Sequence, residues 1–245
     1  MSERPLALVT GASSGIGAAS VRALATAGFD TIAAARRLER LEALADEVGG
    51  RAAQLDVTDQ ASINDLAGSI DRLDLVVHSA GGALGLEPIA EFDDDNWSEM
   101  WESNVMGVAR LTRALLPALK RADAPAIQIL GSVAGVETYI GGGGYTAAKH
   151  AVHALAQTLR LELLEDGIRV TEIAPGLVET EFALVRFDGD RERADATYDG
   201  LTPLVAEDVA EIVAFCATRP PHVDLDYVAV KPTAQATAKI SHRTS

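Results

Sequence analysis

The chain has 245 residues, with 21 Lys plus Arg against 36 Asp plus Glu and a formal net charge of −15. Such an excess of acid repels polyanions, so neither nucleic acid nor an anionic membrane is expected as a partner. One cysteine, Cys216, excludes an intramolecular disulfide and fits a reducing cytoplasm. The length suits one α/β domain, no stretch combines apolarity with membrane-spanning length, and Met1-Ser2-Glu3-Arg4 carries no secretory h-region; a soluble, cytoplasmic protein is expected.

The apolar run Leu6 to Val9 predicts a first strand, which Thr10-Gly11-Ala12-Ser13-Ser14-Gly15-Ile16-Gly17 turns into a helix, Ala18 to Ala27, stopped by Gly28. Glycines let the backbone turn tightly and a pyrophosphate approach, while free amides at the helix start attract anionic oxygens. The order is G-x-x-x-G-x-G. It is read as a dinucleotide turn, against the alternative of an ordinary strand-to-helix turn.

A second strand, Thr31 to Ala35, ends in Arg36-Arg37. NAD-preferring sites place an acid near this strand end to accept from the adenosine ribose, and here that position is Ala35. A neutral residue followed by two guanidiniums suits a 2′-phosphate, so NADP is the expected cofactor. The alternative makes Arg36, Arg37 and Arg40 a solvated helix start.

Further strands are predicted at 52–55, 73–77, 126–130, 169–173 and 227–230, and helices near 38–48, 61–70, 97–120, 145–165 and 206–217. Alternation at this spacing implies a doubly wound parallel sheet of about seven strands with helices on both faces, a single Rossmann-type domain over 1–231. In such sheets ligands sit outside the carboxyl ends of the strands. Gly11, Arg36, Asp56, Ala80, Ser132 and Pro175 all fall there. Residues 177–202 are too long for an ordinary connection and read as a substrate lid. The tail 232–245 is small and polar; it is expected to be disordered or an arm on a neighbouring subunit.

Tyr145 and Lys149 stand four residues apart on one predicted helix face, with Ser132 thirteen residues before the tyrosine. An ammonium beside a phenol favours phenolate, so Lys149 is expected to lower the Tyr145 pKa towards working pH. No metal is expected: His150 and His153 lack a clear third ligand nearby.

Together, Thr10-Gly11-x-x-x-Gly15-x-Gly17, Asn104, Ser132, Tyr145, Lys149 and Pro175-Gly176 resemble the short-chain dehydrogenase/reductase family across nearly the whole chain. The resemblance implies that Tyr145 exchanges the substrate hydroxyl proton, that Lys149 tunes it and holds the nicotinamide ribose, and that Ser132 bonds the reacting oxygen. It gives Asn104 a water linking Lys149 to solvent. It also implies cofactor contacts from Gly11, Ser13, Ser14, Gly15, Ile16 and Gly17, from Asp56 and Val57 at the adenine, and from Ser79, Ala80 and Gly81 at the adenosine. Pro175, Gly176, Val178 and Thr180 would frame the nicotinamide. His78-Ser79 stands where the family usually has Asn-Asn, and His78 is expected to be structural.

The stretch 175–190 looks like the subgroup of NADP-dependent 3-hydroxy acid dehydrogenases, whose substrates include serine and allo-threonine. On that resemblance, Arg186 could clamp a substrate carboxylate, although Asp188, Asp190 or Glu192 could pair with it instead. A homotetramer is implied, with helices 97–120 and 145–165 at the interface. The alternatives are a reductase of another ketone or aldehyde on the same catalytic set, and a non-catalytic NADP(H)-sensing protein.

Overall fold

The computed structural model describes residues 4–244. Its strands are β1 (Leu6–Thr10), β2 (Asp30–Ala35), β3 (Arg51–Gln54), β4 (Leu75–His78), β5 (Ala126–Leu130), β6 (Arg169–Pro175), β7 (Val178–Glu179), β8 (Leu204–Val205) and β9 (Tyr227–Val230). The helices are α1 (Gly15–Thr26), α2 (Leu38–Val48), α3 (Gln60–Gly68), α4 (Asp94–Trp101), α5 (Gly107–Leu119), α6 (Gly143–Glu162), α7 (Glu181–Arg186), α8 (Arg191–Ala196) and α9 (Ala206–Ala217).

Seven strands form one parallel sheet in the order β3-β2-β1-β4-β5-β6-β9. The run reverses direction between β1 and β4, which opens a crevice at their carboxyl ends. Strands covered on both faces read as continuous apolar runs rather than alternating ones, and β4 and β5 are buried at every position. Two cores result. One face packs Ile63, Leu111, Leu115 and Val152 from α3, α5 and α6. The other packs Val21, Leu24, Leu41 and Val213 from α1, α2 and α9.

The predicted helix 97–120 is found, starting three residues earlier at Asp94, but it carries a π-helical turn inside it. This turn, Glu102–Met106, separates α4 from α5. Its cause lies in Asn104, whose side-chain Nδ2 donates to Met100 O at 2.8 Å, the carbonyl four residues back that an α-helix would give to the Asn104 backbone N–H.

Residues 177–202, expected as a substrate lid, fold as α7 and α8 after β7, and β7 pairs with β8 outside the main sheet. The tail departs from expectation. Residues 232–244 lie against their own chain: Gln235 is buried and accepts from Leu177 N at 2.8 Å, and Thr244 N donates to Gly200 O at 2.8 Å. Small, polar residues reach this arrangement because backbone and amide hydrogen bonds, rather than apolar burial, hold them.

Candidate active site

β1 delivers Thr10 to the crevice. The Thr10 hydroxyl accepts from both Ser79 N and Ala80 N at 3.0 Å, pinning the loop after β4 to the end of β1. Here Gly11 is obligatory: its φ is +65° and a Cβ would stand 2.7 Å from Ser79 O. At Gly17 a Cβ would stand 2.4 Å from Gly11 O, so the first turn of α1 packs directly on the loop. Thr10 was given no role in the sequence reading. Its position as the last residue of β1 was the available signal.

Arg37 is built into this turn. It donates from Nε to Ser13 Oγ at 3.0 Å and from Nη2 to Ser14 Oγ at 2.8 Å. Ser14 caps no backbone N–H of α1, which leaves its hydroxyl to the arginine. The third contact of Arg37 is Glu181 Oε2 at 3.1 Å, and Arg40 reaches the other oxygen at 3.0 Å. Arg36 is exposed outside this cluster and faces Asp56. The hydroxyl and amide of Thr58, with Arg36 behind them, hold the Asp56 carboxyl below the usual carboxylate range. Next to it Val57 packs on Gly107, where a Cβ would stand 2.9 Å from the valine methyl. Ile16 packs against the core beneath the turn, and Gly81 lies against the Asn104 amide.

Two residues past the end of β5, Ser132 has an extended backbone that starts a 3₁₀ turn, and its hydroxyl accepts from Ala134 N at 3.1 Å. The first turn of α6 brings Tyr145 to it and, one turn on, Lys149 beneath. Lys149 is buried and donates to Leu130 O at 2.8 Å, with Nζ 5.8 Å from the Tyr145 ring centroid. The expected phenolate is not what this environment favours. Burial pushes the Tyr145 phenol up to about 12, with a hydrogen bond to Ser132 and the Arg186 charge acting the other way. Burial likewise pushes Lys149 down to about 8, opposed by Glu172. Desolvation disfavours both charged forms and outweighs the neighbouring dipoles.

Asn104 sits against the loop after β4, donating to Gly82 O at 3.0 Å as well as to Met100 O. Its Oδ1 is buried and has no hydrogen-bond partner among the described residues. His78 is buried and bonded to Thr112 Oγ1 at 3.0 Å; burial lowers its pKa to about 4, so it is a neutral, structural side chain. His150 and His153 part company: the first bonds Thr146 O, the second Glu172.

Residues 175–186 form the other side of the crevice. Pro175 ends β6, Gly176 N donates to Val230 O at 2.7 Å, and Val178 is buried in β7. Thr180 caps α7, accepting from Phe182 N at 3.2 Å, with its methyl against Gly15. Phe182 meets the Tyr145 ring edge-on at 5.6 Å. Arg186 lies deeper than a surface cation: it donates to Gly85 O at 3.0 Å and to Tyr139 Oη at 3.1 Å, and its Cζ is 5.8 Å from the Tyr145 ring centroid. Its Nη2 is buried without a hydrogen-bond partner among the described residues. None of Asp188, Asp190 and Glu192 forms an ion pair with it; Asp190 instead caps α8. Tyr139 had no part in the sequence reading, because only the fold brings it to the lid.

A parallel sheet with this crevice, its glycine turn and its Ser-Tyr-Lys group defines a dinucleotide-dependent oxidoreductase of the short-chain type. Residues 5–189 match the model of the short chain dehydrogenase family, and the chain belongs to that family. It is similar to an uncharacterized oxidoreductase of Mycobacterium tuberculosis, 54% identical over 95% of this chain and 93% of that one. Sulfoacetaldehyde reductase 2 of Chromohalobacter salexigens is 43% identical over 94% and 95% of the two chains. The NADP-dependent 3-hydroxy acid dehydrogenase YdfG of Salmonella typhi is 41% identical over 97% and 99%. Among solved structures, the closed form of a serine dehydrogenase complexed with NADP+ superposes with a TM-score of 0.92, at 38% identity over 98% of this chain and 100% of that one.

Proposed function

We propose that this protein is an NADP-dependent oxidoreductase that interconverts a small 3-hydroxy acid and its 3-oxo acid. The observation that carries the substrate reading is the buried, unpartnered Nη2 of Arg186 beside the Tyr145 ring. A guanidinium so placed binds a carboxylate through charge-assisted bonds, and a fixed anion sets the distance from which a 3-hydroxyl reaches the phenol. The names of the relatives support both cofactor and substrate class.

The residues fit the cofactor. Gly11 and Gly17 let the turn close tightly on Ser79 and on itself at the start of α1, where helix-start amides attract a pyrophosphate, and Arg37 with the Ser13 and Ser14 hydroxyls offers donors to a 2′-phosphate. Asp56 and Val57 would take the adenine, Ser79, Ala80 and Gly81 the adenosine, and Pro175, Gly176, Val178 and Thr180 the nicotinamide end. NADP, when bound, accepts or supplies the hydride at its nicotinamide. Tyr145, a phenol in this environment, gives its proton to the carbonyl oxygen during reduction; during oxidation it takes the hydroxyl proton as its own passes on through Lys149, while Ser132 donates to the reacting oxygen. Lys149 orients the ribose and shares the proton with Tyr145. Asn104 offers its free Oδ1 as the acceptor that leads the proton onwards.

An organic sulfonate in place of the carboxylate is the second reading, favoured by the sulfoacetaldehyde reductase relative. Rates of NADPH oxidation across 3-oxo acids, sulfonated aldehydes and neutral ketones of equal length test the assignment. The expected order puts 3-oxo acids first; equal rates on neutral ketones would reject the anion reading.

A further inference from the structure

A buried acid stands behind Lys149. Glu172 lies on β6, paired with Ile129 of β5 on the sheet face that α6 covers, and is 1% exposed. A carboxylate survives such burial where partners use its charge. Oε2 meets His153 Nδ1 at 2.5 Å, whereas Oε1 is buried without a hydrogen-bond partner among the described residues. The backbone has been cleared for it. A Cβ on Gly131 would collide with Oε1 at 2.1 Å, and one on Gly135 would stand 3.6 Å from Oε1 and 2.9 Å from Lys149 O. The Lys149 ammonium donates to Leu130 O, the carbonyl of the peptide that joins Leu130 to Gly131. Acid and ammonium therefore converge on one peptide at the end of β5.

Other charges around the acid are few. From α6, His153 and Arg160 face it along with Lys149; from β9, Tyr227 does so, its ring edge-on to His153 at 5.4 Å, with Glu137 bearing on the tyrosine. His153 is a quarter exposed and bonds Gln157 through its other ring nitrogen at 3.1 Å, which ties the buried pair to the solvent side of α6.

We propose that Glu172, held by His153, is a positioning residue for the reaction: it keeps Lys149 protonated at the Leu130 carbonyl and thereby sets the upper pH limit of turnover. This rests on the reading of Tyr145 and Lys149 as the proton-transfer pair. The electrostatics agree in direction, since Glu172 opposes the burial that lowers Lys149, and Lys149 together with His153 opposes the burial that raises Glu172.

The chain has four lysines, Lys120, Lys149, Lys231 and Lys239, so carbon-13 lysine NMR can follow each one. In full-length Glu172→Gln the Lys149 midpoint should fall by about one pH unit or more, a tenfold change in its protonation constant. The upper limb of the kcat/KM profile with NADP should move down with it, while activity at pH 6.5 stays within about threefold. Glu172→Asp should restore most of both shifts. If Glu172→Gln does not fold, His153→Gln should move both readouts in the same direction by less, because the acid loses the partner that holds its charge. An unmoved Lys149 midpoint overturns the pairing. A moved midpoint with an unmoved profile overturns the Tyr145–Lys149 reading, and the proposal with it.

Discussion

Glu181, the first residue of α7, accepts from Arg37 Nη1 at 3.1 Å and so ties α7 to the glycine turn. The pair is exposed, and Arg40 with Arg37 holds the Glu181 carboxyl below its usual range. Exposed ion pairs are worth little, about 0–1 kcal/mol, so a dianionic phosphate can take Arg37 from the acid. Glu181 thus competes with the group that Arg37 is proposed to bind. Glu181→Gln is expected to tighten NADP by about two- to fivefold, and Arg37→Ala to weaken it by about tenfold or more, some 1.4 kcal/mol. Binding of NAD should respond to neither, as read by cofactor titration; parallel effects on both cofactors would remove Arg37 from the 2′-phosphate site.

Tyr145→Phe keeps the ring against Phe182 and removes the hydroxyl. Loss of a positioned acid/base group costs about 10²–10⁴ in rate. Turnover measured by NADPH absorbance should fall by that factor with NADP affinity retained. Substantial residual activity would mean that another group carries the proton.

His78 links a buried ring to pH-dependent stability. Its folded pKa of about 4 lies below the unfolded value of 6.5, so the native state excludes a proton that the unfolded chain takes up. The neutral ring costs nothing above pH 6.5; stability is lost as pH falls from 6.5 towards 4, by about 2 kcal/mol at pH 5. Denaturant unfolding at pH 7 and pH 5 should show this difference, and His78→Asn should reduce it. A variant with the same pH slope would place the linkage elsewhere.

Arg186→Ala should separate anionic from neutral substrates. Hydrogen bonds to a charged group are worth about 1.5–3 kcal/mol, so KM for 3-oxo acids should rise by about 10- to 100-fold. Neutral ketones should change by less than about threefold. Equal changes would show that Arg186 only braces the lid through Gly85 and Tyr139.

Gln235 tests the tail. Removing its amide in Gln235→Ala leaves the half-buried Leu177 N–H without its acceptor, at a cost of about 1–3 kcal/mol. Each kcal/mol lowers Tm by about 2–4 °C at this size, so a loss of several degrees is expected by calorimetry. An unchanged Tm would mean that the tail does not stabilise the lid base.

The legible parts of the fold were those governed by local rules. Apolar runs at β4 and β5 mark strands because both sheet faces are covered. The boundaries of β3 and β4 fall within two residues of expectation. Helix 97–120 is legible as one helix, but its π-turn is not, because nothing in its periodicity shows that the Asn104 side chain donates to Met100 O. The packing of the tail is illegible for a related reason: the Gln235 amide accepts from Leu177 N, brought near by the turn after β6, and composition carries no trace of that.

Sequence alone determined the class of chemistry: the order and spacing of Gly11, Gly15, Gly17, Ser132, Tyr145 and Lys149 are set by turns and helix faces that local chain geometry enforces. Tertiary structure decided what those groups experience. Burial acts on every charged form at once, and it is a property of packing from distant elements. That is why Tyr145 is driven up and Lys149 down. It is also why Glu172, unremarkable in a strand, opposes the burial that lowers Lys149.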